Sequence, residues 1–332
     1  MRIFHSTNYN FVRWRWHAIA LSWALIIAGV TLMIVRGGIP LGIDFSGGTI
    51  VVLKFPQHVA EDVMRRALDG LPGDKVVQEY GDASENEVLV RLPQTRIAEQ
   101  GANLEEGSTQ VERALQAAGL QKFEVISTEI VGPVIGRQLQ LTGIYATLAS
   151  MGGVTVYIAF RFRPTFAVGA IIATFHDLLI TLAFLSFFGY ELSLNIVAAL
   201  LTISGYSTND TIVIFDRIRE NYRTMRRDSL ERIVNTAVNQ TLSRTIITAG
   251  TTFMAVFALY LFGGEVLHGF AFTMLVGVVT GTYSSVFVAA SIAIMLSHRR
   301  IAPRAATQAS PSAAPAQPPS GSRSKARNAR AS

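Results

Sequence analysis

The sequence predicts an α-helical polytopic membrane protein with six transmembrane helices and one small α+β domain between the first two. Three observations carry that reading. The chain is 50% hydrophobic and only 16% charged, and its mean hydropathy is +0.35, well to the apolar side of a soluble composition. Six apolar stretches approach the roughly 20 residues that a helix needs to cross the hydrocarbon core. Arginine clusters beside alternate stretches, the pattern that orients helices in a bilayer. That clustering, rather than nucleic-acid binding, accounts for the formal charge of +6. The chain has no cysteine, which excludes disulfide frameworks, thiolate metal sites and cysteine nucleophiles.

The predicted spans are 17–35, 138–160, 165–188, 192–215, 244–263 and 266–297, after a short N-terminus of residues 1–16. Arg2, Arg13 and Arg15 precede the first. Its apolar run is too long for a signal-peptide core and no small-x-small cleavage site follows, so it reads as a retained anchor. One set of connections holds Arg13 and Arg15, then Arg161 and Arg163, then Arg217, Arg219, Arg223, Arg226, Arg227 and Arg232, then Arg299 and Arg300. The alternate short connections, "FFGYELS" and "FGGEVLHG", hold neither Lys nor Arg. The bias places both termini in the cytoplasm and segment 36–137 on the far side, the periplasm of a bacterial inner membrane.

Segment 36–137 alternates strand and helix signals. "TIVVLKF", "KVVQEY", "EVLVRL" and "KFEVISTEIV" read as strands, and "EDVMRRAL" and "STQVERALQAAGL" as helices. The order β-α-β-β-α-β is that of the ferredoxin-like split βαβ unit, a fold that by itself implies no function. Before it stands "GIDFSGGT", where Asp44, Gly47 and Gly48 mark a tight turn or hinge as the chain leaves the membrane. A phosphate loop is excluded there, since no Gly-Lys-Ser/Thr follows and no helix begins. Residues 216–243 read as a basic amphipathic helix on the cytoplasmic surface, without the interleaved aromatics of an RNA-binding module. Residues 298–332, rich in Ala, Pro and Ser, read as a disordered basic tail, with Arg304, Arg323, Lys325, Arg327 and Arg330 open to anionic lipid.

Ionisable residues within a span usually face the bundle interior and find partners, because a charge at mid-bilayer is costly. Asp210, in "ISGYSTNDTIVIF", is such a residue; Tyr206, Ser207 and Asn209 share its polar stretch. It serves either a proton or the cap of a broken helix. Gln240, Arg244, Thr248, Thr251 and Thr252 recur at helical spacing, a hydroxyl-lined face that could hold water. Arg244 is either the counter-charge of Asp210 or an anchor that snorkels to the interface. Asp177 follows His176; it joins a proton path or only satisfies that imidazole. A lone histidine makes a poor metal site. Thr273, Gly277, Thr280, Gly281 and Ser284 form a small-residue packing face on the sixth span.

These motifs resemble the SecD/SecF family of bacterial protein-export membrane proteins, part of the resistance-nodulation-division superfamily. The likeness runs over about residues 10–300 through "GIDFSGGT", "IVGPVIG", "HDLLIT", "GYSTNDTIVIFDRIREN", "QTLSRTIIT", "LYLFGG" and "GTYSS". It implies six transmembrane helices with a periplasmic domain between the first two. It implies a non-enzymatic subunit without cofactor or metal, partnered by SecD as a second six-helix half, the SecYEG translocon, YajC and the translocating preprotein, and with no nucleic-acid partner. It also implies proton use at the positions of Asp210 and Arg244, with Asp177 in the "HD" element as a further member and Ser207, Asn209 and Thr248 lining the path.

Burial and a neighbouring cation act oppositely on a carboxyl group, so a water path that opens and closes would switch Asp210 between protonated and ionised. The switch would break an Asp210–Arg244 attraction, and a helix shift relayed through the first helix and "GIDFSGG" would swing the outer domain. The rival functions are an intramembrane aspartyl protease built on Asp177 and Asp210, a small-molecule exporter of the same superfamily, and a scaffold without a proton role. The protease lacks a Gly-x-Gly-Asp element. The scaffold leaves Asp210 without a reason.

Overall fold

In the computed structural model, residues 7–71, 75–81, 83–93, 106–120 and 122–301 are described. Most of the tail assigned to 298–332, together with residues 1–6, lies outside them. Helix α1 (Arg15–Val35) leads through a single turn, α2 (Ile43–Ser46), into strand β1 (Gly48–Lys54). Then come α3 (Glu61–Ala67), β2 (Val76–Tyr80), β3 (Glu87–Pro93), α4 (Glu106–Ala117) and β4 (Glu124–Val131). The four strands form one antiparallel sheet in the order β2-β3-β1-β4. Alternation sets its core: Val51, Leu53, Val88, Val90 and Leu92 point to one face and meet Met64 of α3, Leu68 just after it, and Val111 and Leu115 of α4. At the edge of this core Lys54 bridges Glu85 and, at 3.2 Å, Glu87. Those two carboxylates hold its ammonium above the ordinary lysine pKa.

The rest is helical: α5 (Pro133–Arg161), α6 (Pro164–Phe188), α7 (Leu194–Thr224), α8 (Leu230–Phe262), α9 (Gly264–Ser284), a π-helical turn (Ser285–Ala289) and α10 (Ala290–Ile301). Proline at the first position pre-sets the starts of α5 and α6. Serine caps start α7 and α8, where Ser193 Oγ accepts from Ile196 N at 3.3 Å and Ser229 Oγ from Arg232 N at 3.4 Å. Gly189, at φ +75°, ends α6 in the left-handed conformation that favours glycine.

Among the described residues, five helices are long and apolar enough to cross a membrane: Val12–Val35, Val134–Arg161, Pro164–Phe188, Leu230–Phe262 and Val266–Ser297. The expected fourth span, within α7, is not one of them, because Ser204, Ser207, Thr208, Asn209 and Asp210 interrupt its apolar run and its last turns are charged. The α6 helix and the α9–α10 unit are largely buried within the bundle. Helices α1, α5 and α8 lie at its periphery and expose Trp23, Leu148, Phe160, Met254 and Phe257, as suits a lipid or protein surround.

The segment 216–243 differs from its reading as one surface helix. It comprises the end of α7, a turn, and the start of α8. Its apolar face (Ile218, Ile233, Val234, Ala237, Val238) packs into the bundle core beside Ile158 and Phe162. An amphipathic stretch needs an apolar surface to cover, and protein supplies it here. Gln240 bonds Arg217 Nε at 2.6 Å and Asn221 Nδ2 at 2.9 Å, so it belongs to this clasp and not to a water-lined face. The entry to α1 is pinned to the same region: Tyr9 N donates to Asn239 Oδ1 and Phe11 N to Asn235 Oδ1, both at 2.9 Å, and Arg15 pairs with Glu231 at 2.8 Å.

Candidate functional site: a carboxylate junction inside the bundle

Three helices converge on Asp177 of α6, which is 1% exposed. Its Oδ2 accepts from Ser207 Oγ of α7 at 2.5 Å and from Ser284 Oγ of α9 at 2.7 Å. Its Oδ1 lies 2.9 Å from His176 Nδ1. The imidazole stacks towards Tyr283, whose hydroxyl donates to Ala18 O of α1 at 2.6 Å. Among the described residues His176 Nε2 is buried without a partner. Around this centre Thr211 Oγ1 and Ser285 Oγ lie 2.8 Å apart, and Thr174 and Thr208 hydroxyls 3.4 Å. Ser285 opens the π-helical turn directly after Ser284; π-bulges recur at functional sites because they re-aim side chains.

Asp210 lies three residues past Ser207, one turn along α7, and bonds α8 rather than α6. Its Oδ1 accepts from Thr245 Oγ1 of α8 at 2.7 Å, while Oδ2 is buried with no hydrogen-bond partner among the described residues. Helix α7 runs unbroken through Asp210, so the acid caps no helix end. Arg244 is exposed, and among the described residues no ion pair joins it to Asp210. The Arg244 charge still bears on the Asp210 carboxylate, but the hydrogen bond to it comes from the next residue. Successive helical positions diverge by about 100°, so α8 turns Thr245 towards α7 and Arg244 to the bundle surface. Thr248 and Asn209 are exposed as well; of the three expected path-lining residues only Ser207 is buried in the junction.

The "GIDFSGG" motif sits at the first turn of α7. Asp44 Oδ2 accepts from Leu194 N at 2.8 Å, Gly42 N donates to Leu192 O at 2.8 Å, and Leu192 N donates to Pro40 O at 2.7 Å. Gly47 and Gly48 take φ +72° and +141°, turning the chain from α2 into β1. The motif thus meets the acid-bearing helix directly rather than through α1 alone. The sequence places Ser284 on a packing face and does not single out the Asp44 contact; both depend on which helices become neighbours.

A separate trough of about 540 Å³ between α3 and α4, lined by Arg66, Leu71, Gln110, Arg113 and Ala114, contains no acid. Among the described residues no group of three or more His, Asp or Glu side chains is placed to hold a metal ion.

Replacing Asp177 by Leu is expected to strand Ser207, Ser284 and His176 at once. Interhelical hydrogen bonds in bilayers contribute about 0.6 and at most about 1.7 kcal/mol each, so losing the two from Ser207 and Ser284 costs roughly 1–3 kcal/mol. Denaturation of the purified protein in detergent micelles checks this, with Asp177→Asn expected to fall between Leu and the native residue.

These features define a class: a polytopic membrane protein whose helix bundle buries carboxylates at its centre and joins a small antiparallel-sheet domain to the end of an acid-bearing helix. A family model for "Protein export membrane protein SecD/SecF, C-terminal" matches residues 110–299, and one for the "SecD/SecF GG Motif" matches residues 32–55. The protein translocase subunit SecF of Escherichia coli is 42% identical over 88% of this chain and 89% of its own. The SecF of Koribacter versatilis is 37% identical over 87% and 92%. The crystal structure of SecDF, a translocon-associated membrane protein from Thermus thermophilus, superposes with a TM-score of 0.78 at 36% identity, over 89% of this chain and 39% of that one. SecDF in a super-membrane-facing form superposes at 0.65, with 37% identity over 90% and 40%. This chain belongs to the SecD/SecF family of protein-export membrane proteins, among its SecF members.

Proposed function

We propose that the chain acts in the bacterial inner membrane, both termini cytoplasmic, as the half of a proton-driven export device that SecD completes. In this reading α7 is a sixth transmembrane helix. Its interrupting polar residues other than Asn209 face neighbouring helices, as ionisable residues in spans do. The sheet order β2-β3-β1-β4, with a helix after β1 and another after β3, fits the ferredoxin-like arrangement, here periplasmic. The solved SecDF chains extend far beyond the 39–40% that this chain covers, room enough for a second half. Asn209, Arg244 and Thr248, exposed on membrane helices, give SecD a polar surface to cover. SecYEG, YajC and the emerging preprotein are the further partners, and anionic lipid suits the basic tail.

The observation that supports this reading most is the Asp210 carboxylate: one oxygen held by Thr245 of α8, the other buried without a partner among the described residues. A structural acid would have both oxygens satisfied. Protonation replaces a charge-assisted hydrogen bond from Thr245 with a weaker neutral one, loosening α7 from α8. One proton crossing about 100 mV releases about 2.3 kcal/mol, more than the roughly 1.4 kcal/mol of a tenfold population shift. The displaced α7 carries the outer domain with it, which grips the preprotein and opposes backsliding.

The test is export of a secreted reporter in cells whose only copy carries Asp210→Asn, with protein level and SecD association followed in parallel. Lost export at normal level and association supports proton coupling. Wild-type export overturns it and leaves the scaffold in front.

A further inference from the structure

One guanidinium ties the sheet domain to the loop between α6 and α7. Arg91, near the end of β3, forms an ion pair with Glu191 in the loop between α6 and α7. Its Nη2 donates to Leu41 O at 2.6 Å and to Ser46 Oγ at 3.2 Å. The side chain is 14% exposed, that of Glu191 39%. Three partners from three places therefore converge: the loop that starts α7, the strand-like segment before α2, and α2 itself. Glu191 lies one residue from Leu192, which pairs in parallel with Leu41, and three from Leu194, whose amide is held by Asp44. A planar fork of five donors can span such a set, whereas a lysine ammonium cannot hold three separated acceptors in fixed directions.

We infer that Arg91 and Glu191 are positioning residues that latch the outer sheet to the start of α7, so that movement of this helix turns the domain as one piece. The inference rests on the proton-driven reading for its source of motion, and names the mechanical link that the reading leaves open. The geometry argues for a link rather than a fold requirement. The sheet's own core (Val51, Leu53, Val88, Val90, Leu92) closes on α3 and α4, and Glu191 lies outside that domain. Strand β3 pairs with both β1 and β2, so a force applied at Arg91 enters the sheet along its hydrogen-bonded ladder rather than at a loose loop. At the other end the pull reaches α7 at its capped first turn, where Ser193 and Asp44 both hold backbone amides.

The experiment uses the full complex in cells with Glu191→Gln, Arg91→Gln, and the exchanged pair Arg91→Glu with Glu191→Arg. Coupling residues of this kind shift equilibria by factors of roughly three to thirty. Each single variant is expected to lower reporter export about three- to tenfold, with normal protein level, SecD association and protease resistance of the outer domain. The exchanged pair restores the ion pair but not the bond to Leu41 O, and is expected to recover part of that loss, which a general weakening of the fold would not do. Wild-type export by both single variants, or an exchanged pair no better than either, overturns the latch. Asp210→Asn run in parallel separates the two readings. If it exports normally while Glu191→Gln does not, proton coupling falls and the latch stands; the reverse pattern removes the latch alone.

Discussion

Asp210→Asn is expected to reduce export to that of cells lacking the subunit while leaving the bundle intact. The amide has nearly the shape of the acid, and its Oδ1 still accepts from Thr245, which now donates at 2.7 Å. What it loses is the capacity to take up and release a proton. At about 2.3 kcal/mol per charge across about 100 mV, one proton biases a two-state helix movement by about fiftyfold, and removing it leaves only the intrinsic balance of the two poses. Export by the native protein is therefore expected to fall when the proton gradient is collapsed, and residual export by Asp210→Asn to be indifferent to it. Asp210→Glu keeps the titrating group on a longer arm and is expected to fall between the two. Export by the Asn variant that still tracks the gradient would move the proton site elsewhere in the junction, and Asp177 would be the first place to look.

The parts of this architecture that depend on one element at a time were legible in the sequence. The strand and helix order of the sheet domain follows from β-branched apolar runs and helical spacing. Asp210 and Asp177 stand out because an acid in an apolar run is costly. The parts that depend on which helices touch were not legible. Periodicity puts Arg244 and Thr245 on adjacent headings but cannot say which heading faces α7, so the hydroxyl that bonds Asp210 was not singled out beside the charge. Ser284 reads as one small residue among Thr273, Gly277 and Gly281, and only the neighbouring helix turns it into a ligand of Asp177. The amphipathic pattern of 216–243 is the same whether a membrane surface or a protein core covers it. The apolar length of the α7 region is cut by the residues that build the junction, so hydropathy is weakest where the chemistry is densest.

The small-residue face of α9 carries the second large effect. Small residues let membrane helices approach closely enough to pack and to bond across the interface. At Gly281 a Cβ would lie 2.9 Å from Ser207 Cβ and 3.3 Å from Ser207 Oγ, within the hydroxyl pair that holds Asp177. Gly281→Val is therefore expected to wedge α9 from α7. Overpacking of this kind costs about 1–3 kcal/mol, and if both serine bonds to Asp177 are lost, about 1–3 kcal/mol more follows at 0.6–1.7 each. Gly250 on α8 is the control, because nothing lies within 4 Å of a Cβ added there, and Gly250→Val is expected to cost little. Denaturation in detergent compares the two, and export by the same variants shows whether separation of α7 and α9 also disables the device. A Gly281→Val protein as stable as Gly250→Val would mean that close approach at Ser207 is not what holds the three-helix junction together.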